Sequence, residues 1–167
     1  KLESGAAEWH VEPVDLRDVL TPATAATAQL FRESRVTLDI DLPETMPLVA
    51  ADSDRVVQVM LNLLGNAVKF AEPERGQVRI GVKVLDDEVQ VDVEDNGPGI
   101  PEEDCEVIFD KFRQGGDTRH ERPSGTGLGL PISREIIEHL GGRLWAVRRP
   151  GPGATLSFTL PLSRTDR

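Results

Sequence analysis

Residues 58–70 read QVMLNLLGNAVKF, a run apolar enough for a helix interior that nevertheless carries two asparagines and a lysine. On a wheel of about 100° per residue, Arg55, Gln58, Asn62, Asn66 and Lys69 share one narrow stripe, with Gly65 among them. Val56, Val57, Val59, Met60, Leu61, Leu63, Leu64, Ala67, Val68 and Phe70 fill nearly everything else. The pattern predicts a helix from about Ser53 to Ala71, buried on most sides and polar along a single seam. A polar seam is ordinarily a solvent face, and such faces favour Glu, Lys or Arg. Asn is a poor interior helix former that competes for backbone hydrogen bonds. Two Asn at i and i+4 beside a Gly suggest instead amide oxygens and a close backbone approach. An amide oxygen is a hard, neutral ligand suited to Mg²⁺, and Lys69 one turn further on can meet a phosphate. The seam reads as one wall of a nucleotide site.

Working outward, Leu16, Val19, Leu20, Ala23, Thr27, Leu30 and Phe31 follow helical spacing. Thr21-Pro22 either kinks one helix or starts a second; one helix is the favoured reading. RVTLDIDLP (35–43) alternates as a strand with one wet face. QVRIGVKVL and EVQVDVED alternate around DDE (86–88) and predict a hairpin. PEEDCEVIFDKF (101–112) reads as a short helix, and LGLPISREIIEHLGG (128–142) as a helix stopped by its glycine pair. RLWAVRR and GATLSFTLPL form a second hairpin around PGPG (150–153). Helices mixed with antiparallel pairs point to an α+β layer sandwich.

Composition narrows the function. The 167 residues suffice for one domain with a real core. A formal net charge of −10 argues against non-specific nucleic-acid binding, which needs basic surface to displace counterions. A polyanion held by this acidic chain must meet locally placed donors. The single cysteine, Cys105, excludes an internal disulfide framework, suits a reducing compartment, and beside its acids reads as structural. No apolar run approaches a membrane span, so no direct membrane contact is expected.

Three glycine-bearing stretches extend the nucleotide reading. In EDNGPGI (94–100), the Asp95 carboxylate can accept a hydrogen bond from an adenine amino group, and Asn96-Gly97 offers a φ > 0 turn. GTGLGL (125–130) opens a helix, where exposed N–H groups at the positive dipole end favour phosphate. IFDKFRQ (108–114) supplies Phe109 and Phe112 with Lys111 and Arg113; its plainer reading is an amphipathic helix with core aromatics.

In this order the four stretches resemble the catalytic ATP-binding domain of sensor histidine kinases. NLLGNAVKF resembles that family's N box, DNGPGI its first glycine box, FDKF its F box and GTGLGL its second glycine box. KLESG, EPVDLRDVL, AADSDRVVQVMLNLL, EHLGGRLWA and GATLSFTLPL are similar as well, so the likeness covers nearly the whole chain. It implies a two-layer α/β sandwich, a mixed, largely antiparallel sheet with helices on one face. By the same likeness Asn66 coordinates Mg²⁺ and Asn62 stands beside the phosphates of ATP. Lys69, Lys111 and Arg113 neutralise phosphate charge and Asp95 reads the adenine. Gly97, Gly99 and Ile100 shape the adenine pocket. Gly125, Thr126, Gly127, Leu128 and Gly129 form the closing turn over the triphosphate, and residues 114–124 the ATP lid.

Hydrolytic and serine-phosphorylating relatives carry Glu one turn before the metal-binding Asn. Asn62 stands there instead, and an amide is no general base at neutral pH. The implied activity is therefore transfer of the γ-phosphate to a histidine. None of the three histidines matches the family's acceptor motif. His10 lies in a linker and His120 in the lid; His139 reads as a helix-end or packing residue. Residues 1–13 then read as the tail of a dimerisation and phosphoacceptor hairpin plus a linker, 14–163 as the catalytic domain and 164–167 as a tail. Implied partners are that hairpin and a response regulator. The expected fragment is monomeric and cytoplasmic, whether or not its parent is membrane-anchored. Competing readings are a serine kinase or ATPase of the same superfamily, or a nucleotide binder without chemistry.

Overall fold

The computed structural model describes residues 8–110, 129–147 and 152–164. Seven strands and three helices are formed within them: β1 (Glu12–Val14), α1 (Arg17–Glu33), β2 (Val36–Asp41), β3 (Val49–Ala51), α2 (Ser53–Phe70), β4 (Gly76–Val84), β5 (Glu88–Asp95), α3 (Gly129–His139), β6 (Leu144–Ala146) and β7 (Ala154–Pro161). A five-stranded sheet runs β2-β4-β5-β7-β6, while β1 and β3 make a separate antiparallel pair. Only the β2–β4 pairing in the large sheet is parallel.

Strand alternation places the apolar set on one face. Val78, Ile80 and Val82 of β4 lie beside Val93 and Val91 of β5, which lie beside Leu156 and Phe158 of β7. The helices cover this face with Val19, Leu20 and Ala23 from α1, Val59, Met60, Leu63 and Leu64 from α2, and Ile136 and Ile137 from α3. Each of these side chains larger than Ala23 contributes about 1.5–3 kcal/mol through water released. Phe158, Leu63 and Leu64 are completely buried. The expected sandwich, with helices layered on one face of a largely antiparallel sheet, is the fold observed.

Helix α1 is continuous through Pro22, which sits exposed near its N-terminal end. Helix α2 starts where Asp52 caps it: the Asp52 carboxylate accepts the Arg55 N–H at 3.4 Å and also the His10 N–H at 2.9 Å. It ends when Ala71 turns extended ahead of Pro73.

Two expectations are corrected, and neither tryptophan is fully buried. PEEDCEVIFDKF is not one helix: Glu102–Asp104 and Val107–Phe109 are separate 3₁₀ turns, with i to i−3 bonds such as Asp104 N–H to Pro101 O at 2.8 Å. The tighter winding drops Cys105, Ile108 and Phe109 into the core while Glu102, Glu103 and Glu106 stay exposed. Trp145, large and apolar on strand β6, does not enter the core. It alternates with buried Leu144 and Ala146 onto the opposite sheet face, half-buried under the Arg143 guanidinium at 4.6 Å. Leu30, on the helical period, is 40% exposed at the outer side of α1. Trp9 stacks on His139 at the end of α3, ring centroids 3.8 Å apart, and the Arg55 guanidinium lies 4.3 Å from the Trp9 ring. His139 is thus the packing residue expected. Arg148, Arg149 and His120 lie outside the described residues.

Candidate nucleotide site

The seam on α2 divides into three parts. At its N-terminal end Arg55 serves the linker, reaching Asp52 at 4.0 Å and the Glu8 carbonyl at 3.3 Å, and Gln58 is exposed. In the middle Asn62 faces α3: its Nδ2 donates to the Gly129 carbonyl at 3.1 Å and to the Ser133 hydroxyl at 2.9 Å. Toward the C-terminal end stand Gly65, Asn66 and Lys69, all half-buried. Among the described residues the Asn66 amide makes no hydrogen bond, and a Cβ placed on Gly65 would have nothing within 4 Å. Among the described residues, then, none makes the close approach expected at Gly65. Lys69 sits 5.9 Å from the Phe70 ring centroid.

The 95–100 loop packs on the C-terminal end of α2. Asp95, the last residue of β5, is buried, and its Oδ1 accepts the Gly97 N–H at 2.8 Å. The φ > 0 turn expected at Asn96-Gly97 falls instead on Gly99, at φ 97°. Gly97 is required for another reason: a Cβ there would lie 1.8 Å from the Phe70 carbonyl oxygen. Loop and helix end are in backbone contact, which leaves room for hydrogen only. Asn96 locks the junction, its Oδ1 accepting the Glu72 and Gln77 N–H groups at 3.1 and 2.9 Å and its Nδ2 donating to the Arg75 carbonyl at 2.9 Å. Ile100 is half-buried and packs against the core.

The remaining wall begins at Gly129, the first residue of α3, held against Asn62. Phe109 is the core aromatic of the plainer reading, buried under the Arg134 guanidinium at 4.2 Å; Arg134 also reaches Glu106 at 3.3 Å. Of the expected site residues, the structure brings Gly129 against Asn62 in the middle of the α2 seam and Gly97, next to Asp95, against Phe70 at its C-terminal end. Lys111, Arg113, Gly125, Thr126, Gly127, Leu128 and the expected lid at 114–124 lie outside the described residues. Sequence reading missed Ser133 and Arg134 and gave Asn96 only a turn. The signal for Ser133 was a hydroxyl on the apolar face of α3, legible only once its neighbour is known.

Residues 51–164 match the family of histidine kinase-, DNA gyrase B- and HSP90-like ATPases. The chain belongs to this family.

As a histidine-kinase-like ATPase it is an ATP-binding catalytic domain. The adaptive-response sensory kinase SasA of Synechocystis is 36% identical over 157 residues, 93% of this chain and 40% of that protein. The sensor histidine kinase WalK of Bacillus subtilis is 37% identical over 135 residues, 80% of this chain and 22% of WalK. The chain therefore spans less than half the length of these curated relatives. Among solved structures, full-length ShkA in complex with AMPPNP superposes with a TM-score of 0.82 at 28% identity, over 97% of this chain and 34% of ShkA. The catalytic domain of histidine kinase ThkA gives 0.78 at 29% identity, over 92% of this chain and 98% of that domain.

The seam's donor set fits a divalent cation that arrives with its nucleotide. No cluster of three or more His, Cys, Asp or Glu is formed among the described residues. Asn66, next to Gly65 on the seam, is the residue that would hold Mg²⁺, its neutral amide oxygen being a hard ligand of the kind that ion takes.

Proposed function

We propose that this domain transfers the γ-phosphoryl group of ATP to a histidine on a separate dimerisation hairpin, and that a response regulator receives it next. The observation that carries this reading is the residue one helical turn before Asn66. It is Asn62, an amide with both N–H groups engaged by α3. Such a group cannot strip a proton from water or from a serine hydroxyl. A neutral imidazole needs no deprotonation to attack phosphorus, so a histidine acceptor suits a site without a base. Support also comes from ShkA, described in complex with AMPPNP, and from ThkA, described in complex with the response regulator TrrA and similar to this chain with a TM-score of 0.74 at 28% identity.

In this reading the chain contributes position and charge. Asp95 accepts a hydrogen bond from the adenine amino group at the C-terminal end of a groove along α2. Gly97, Gly99 and Ile100 give the ring its flat slot. Asn66 offers its oxygen to Mg²⁺, which when bound screens the triphosphate and polarises the bond to be broken. Lys69, with Lys111 and Arg113, offsets phosphate charge, and the helix dipole at the N-terminus of α3 does the same. Gly125, Thr126, Gly127 and Leu128 lead into that terminus at Gly129. We place the domain in the cytoplasm, where ATP and reduced Cys105 coexist; no described helix is long and apolar enough to cross a membrane.

The test is to mix the domain with a separately made hairpin and labelled ATP. Acid-labile, base-stable phosphate on the hairpin is the expected result. Sustained ATP hydrolysis without a hairpin product favours the ATPase reading instead. Asp95→Asn should erase discrimination of ATP over GTP, because the amide can donate to the guanine oxygen where the carboxylate cannot. Competition binding should show the preference falling by about tenfold or more, the cost of one charged hydrogen bond. An unchanged preference removes Asp95 as the adenine reader.

A further inference from the structure

Ser133 lies on α3 with no exposed surface, and its hydroxyl accepts a hydrogen bond from Asn62 Nδ2 at 2.9 Å. The same Nδ2 donates to the Gly129 carbonyl at 3.1 Å. A backbone carbonyl only accepts, so the group facing Gly129 must be the NH₂ end of the amide. Both of its protons are then committed, one to the backbone and one to the buried hydroxyl. What Asn62 retains for a ligand is Oδ1, which has no hydrogen bond among the described residues. Phosphate oxygens are also acceptors, and two acceptors face to face repel.

We propose that Ser133 is a positioning residue that, with the Gly129 carbonyl, holds Asn62 as a hydrogen-bond acceptor toward the groove. Its partner there is electropositive, an ordered water, an ammonium group or the nucleotide's cation, and not a phosphate oxygen. This inference rests on the groove being the nucleotide site but not on the identity of the phosphate acceptor. It also accounts for the residue type. A carboxylate at position 62 has no proton for the Gly129 carbonyl, and a lysine has no oxygen for the groove. An Asn serves both sides only when a second acceptor stands behind it, and Ser133 supplies that acceptor inside an otherwise apolar helix face.

The experiment follows the Asn62 side-chain NH₂ by ¹⁵N NMR, with and without ATP, in the wild type and in Ser133→Ala. Slow exchange of these protons is expected in the free protein, little changed by ATP, and faster by about two- to tenfold in Ser133→Ala, the value of one neutral hydrogen bond. Phosphotransfer to the hairpin should fall by a similar factor with ATP affinity held within about twofold, and Ser133→Ala should add nothing in an Asn62→Ala background. Protons that exchange as fast as those of an exposed Asn, or that become coupled to phosphorus when ATP binds, overturn the proposal, as does additivity of the two substitutions. A wild-type domain that binds ATP but phosphorylates no hairpin defeats the proposed function alone, since the NMR result still decides the orientation of Asn62.

Discussion

Replacing Asn66 by alanine will remove phosphotransfer to the hairpin, by on the order of 10²-fold or more, while the domain stays folded. The magnitude is that of losing one preorganised electrostatic group in a charged transition state. Asn66 is half-buried next to Gly65 on the seam, with no hydrogen bond among the described residues that its removal could break. No neighbouring cluster of acids or histidines among those residues can take over as metal ligand. Stability should shift by no more than about 0.5 kcal/mol, with a small gain possible because Ala is the better helix former. Rate measurements at saturating and limiting Mg²⁺, together with a thermal melt, separate the two effects. Wild-type transfer by a folded Asn66→Ala domain would remove the metal assignment.

The second large effect is structural. Gly97→Ala places a methyl carbon 1.8 Å from the Phe70 carbonyl oxygen and 2.9 Å from its carbon, both of them backbone atoms. No side-chain rotation relieves that overlap, so either the 95–100 loop or the end of α2 must move. Moving the loop strains the Gly97 N–H bond to Asp95 and the 2.7 Å bond from Gly153 N–H to the Gly97 carbonyl. It also pulls on Asn96, which ties the same junction through three hydrogen bonds. We expect a loss of about 2–4 kcal/mol, at the upper end of the cost of overpacking because the clash is with backbone atoms. For a domain of this size that lowers the melting temperature by about 10 °C. Calorimetry of the purified variant checks it, and a melt unchanged within a few degrees would show that the junction yields easily. The loss of ATP binding should exceed the stability effect, because Asp95 stands two residues away.

Much of this was legible because it depends on local periodicity. Asn62 and Asn66 one turn apart in an apolar run marked the polar seam of α2, and period-two alternation in 77–95 marked the central hairpin and its buried face. Reading failed where a residue's partner is distant in sequence. Trp145 carried the hydrophobicity of a core residue, but the register of β6 on β7 sends it to the outer face. Trp9 found His139, 130 positions away, through the β1–β3 pairing that lays the linker across the ends of α2 and α3. Gly97 looked like a turn glycine, and the turn belongs to Gly99.

Chain order and side-chain chemistry alone determined that one helix would carry a polar seam, that glycine turns would border it, and that an alternating sheet would back it. Those are properties of single segments, set by side-chain geometry along a repeating backbone. Which end of the Asn62 amide faces the groove was decided only by the tertiary structure. That orientation requires the Gly129 carbonyl and the Ser133 hydroxyl to converge on one nitrogen, and they arrive on a helix 67 and 71 residues further along the chain.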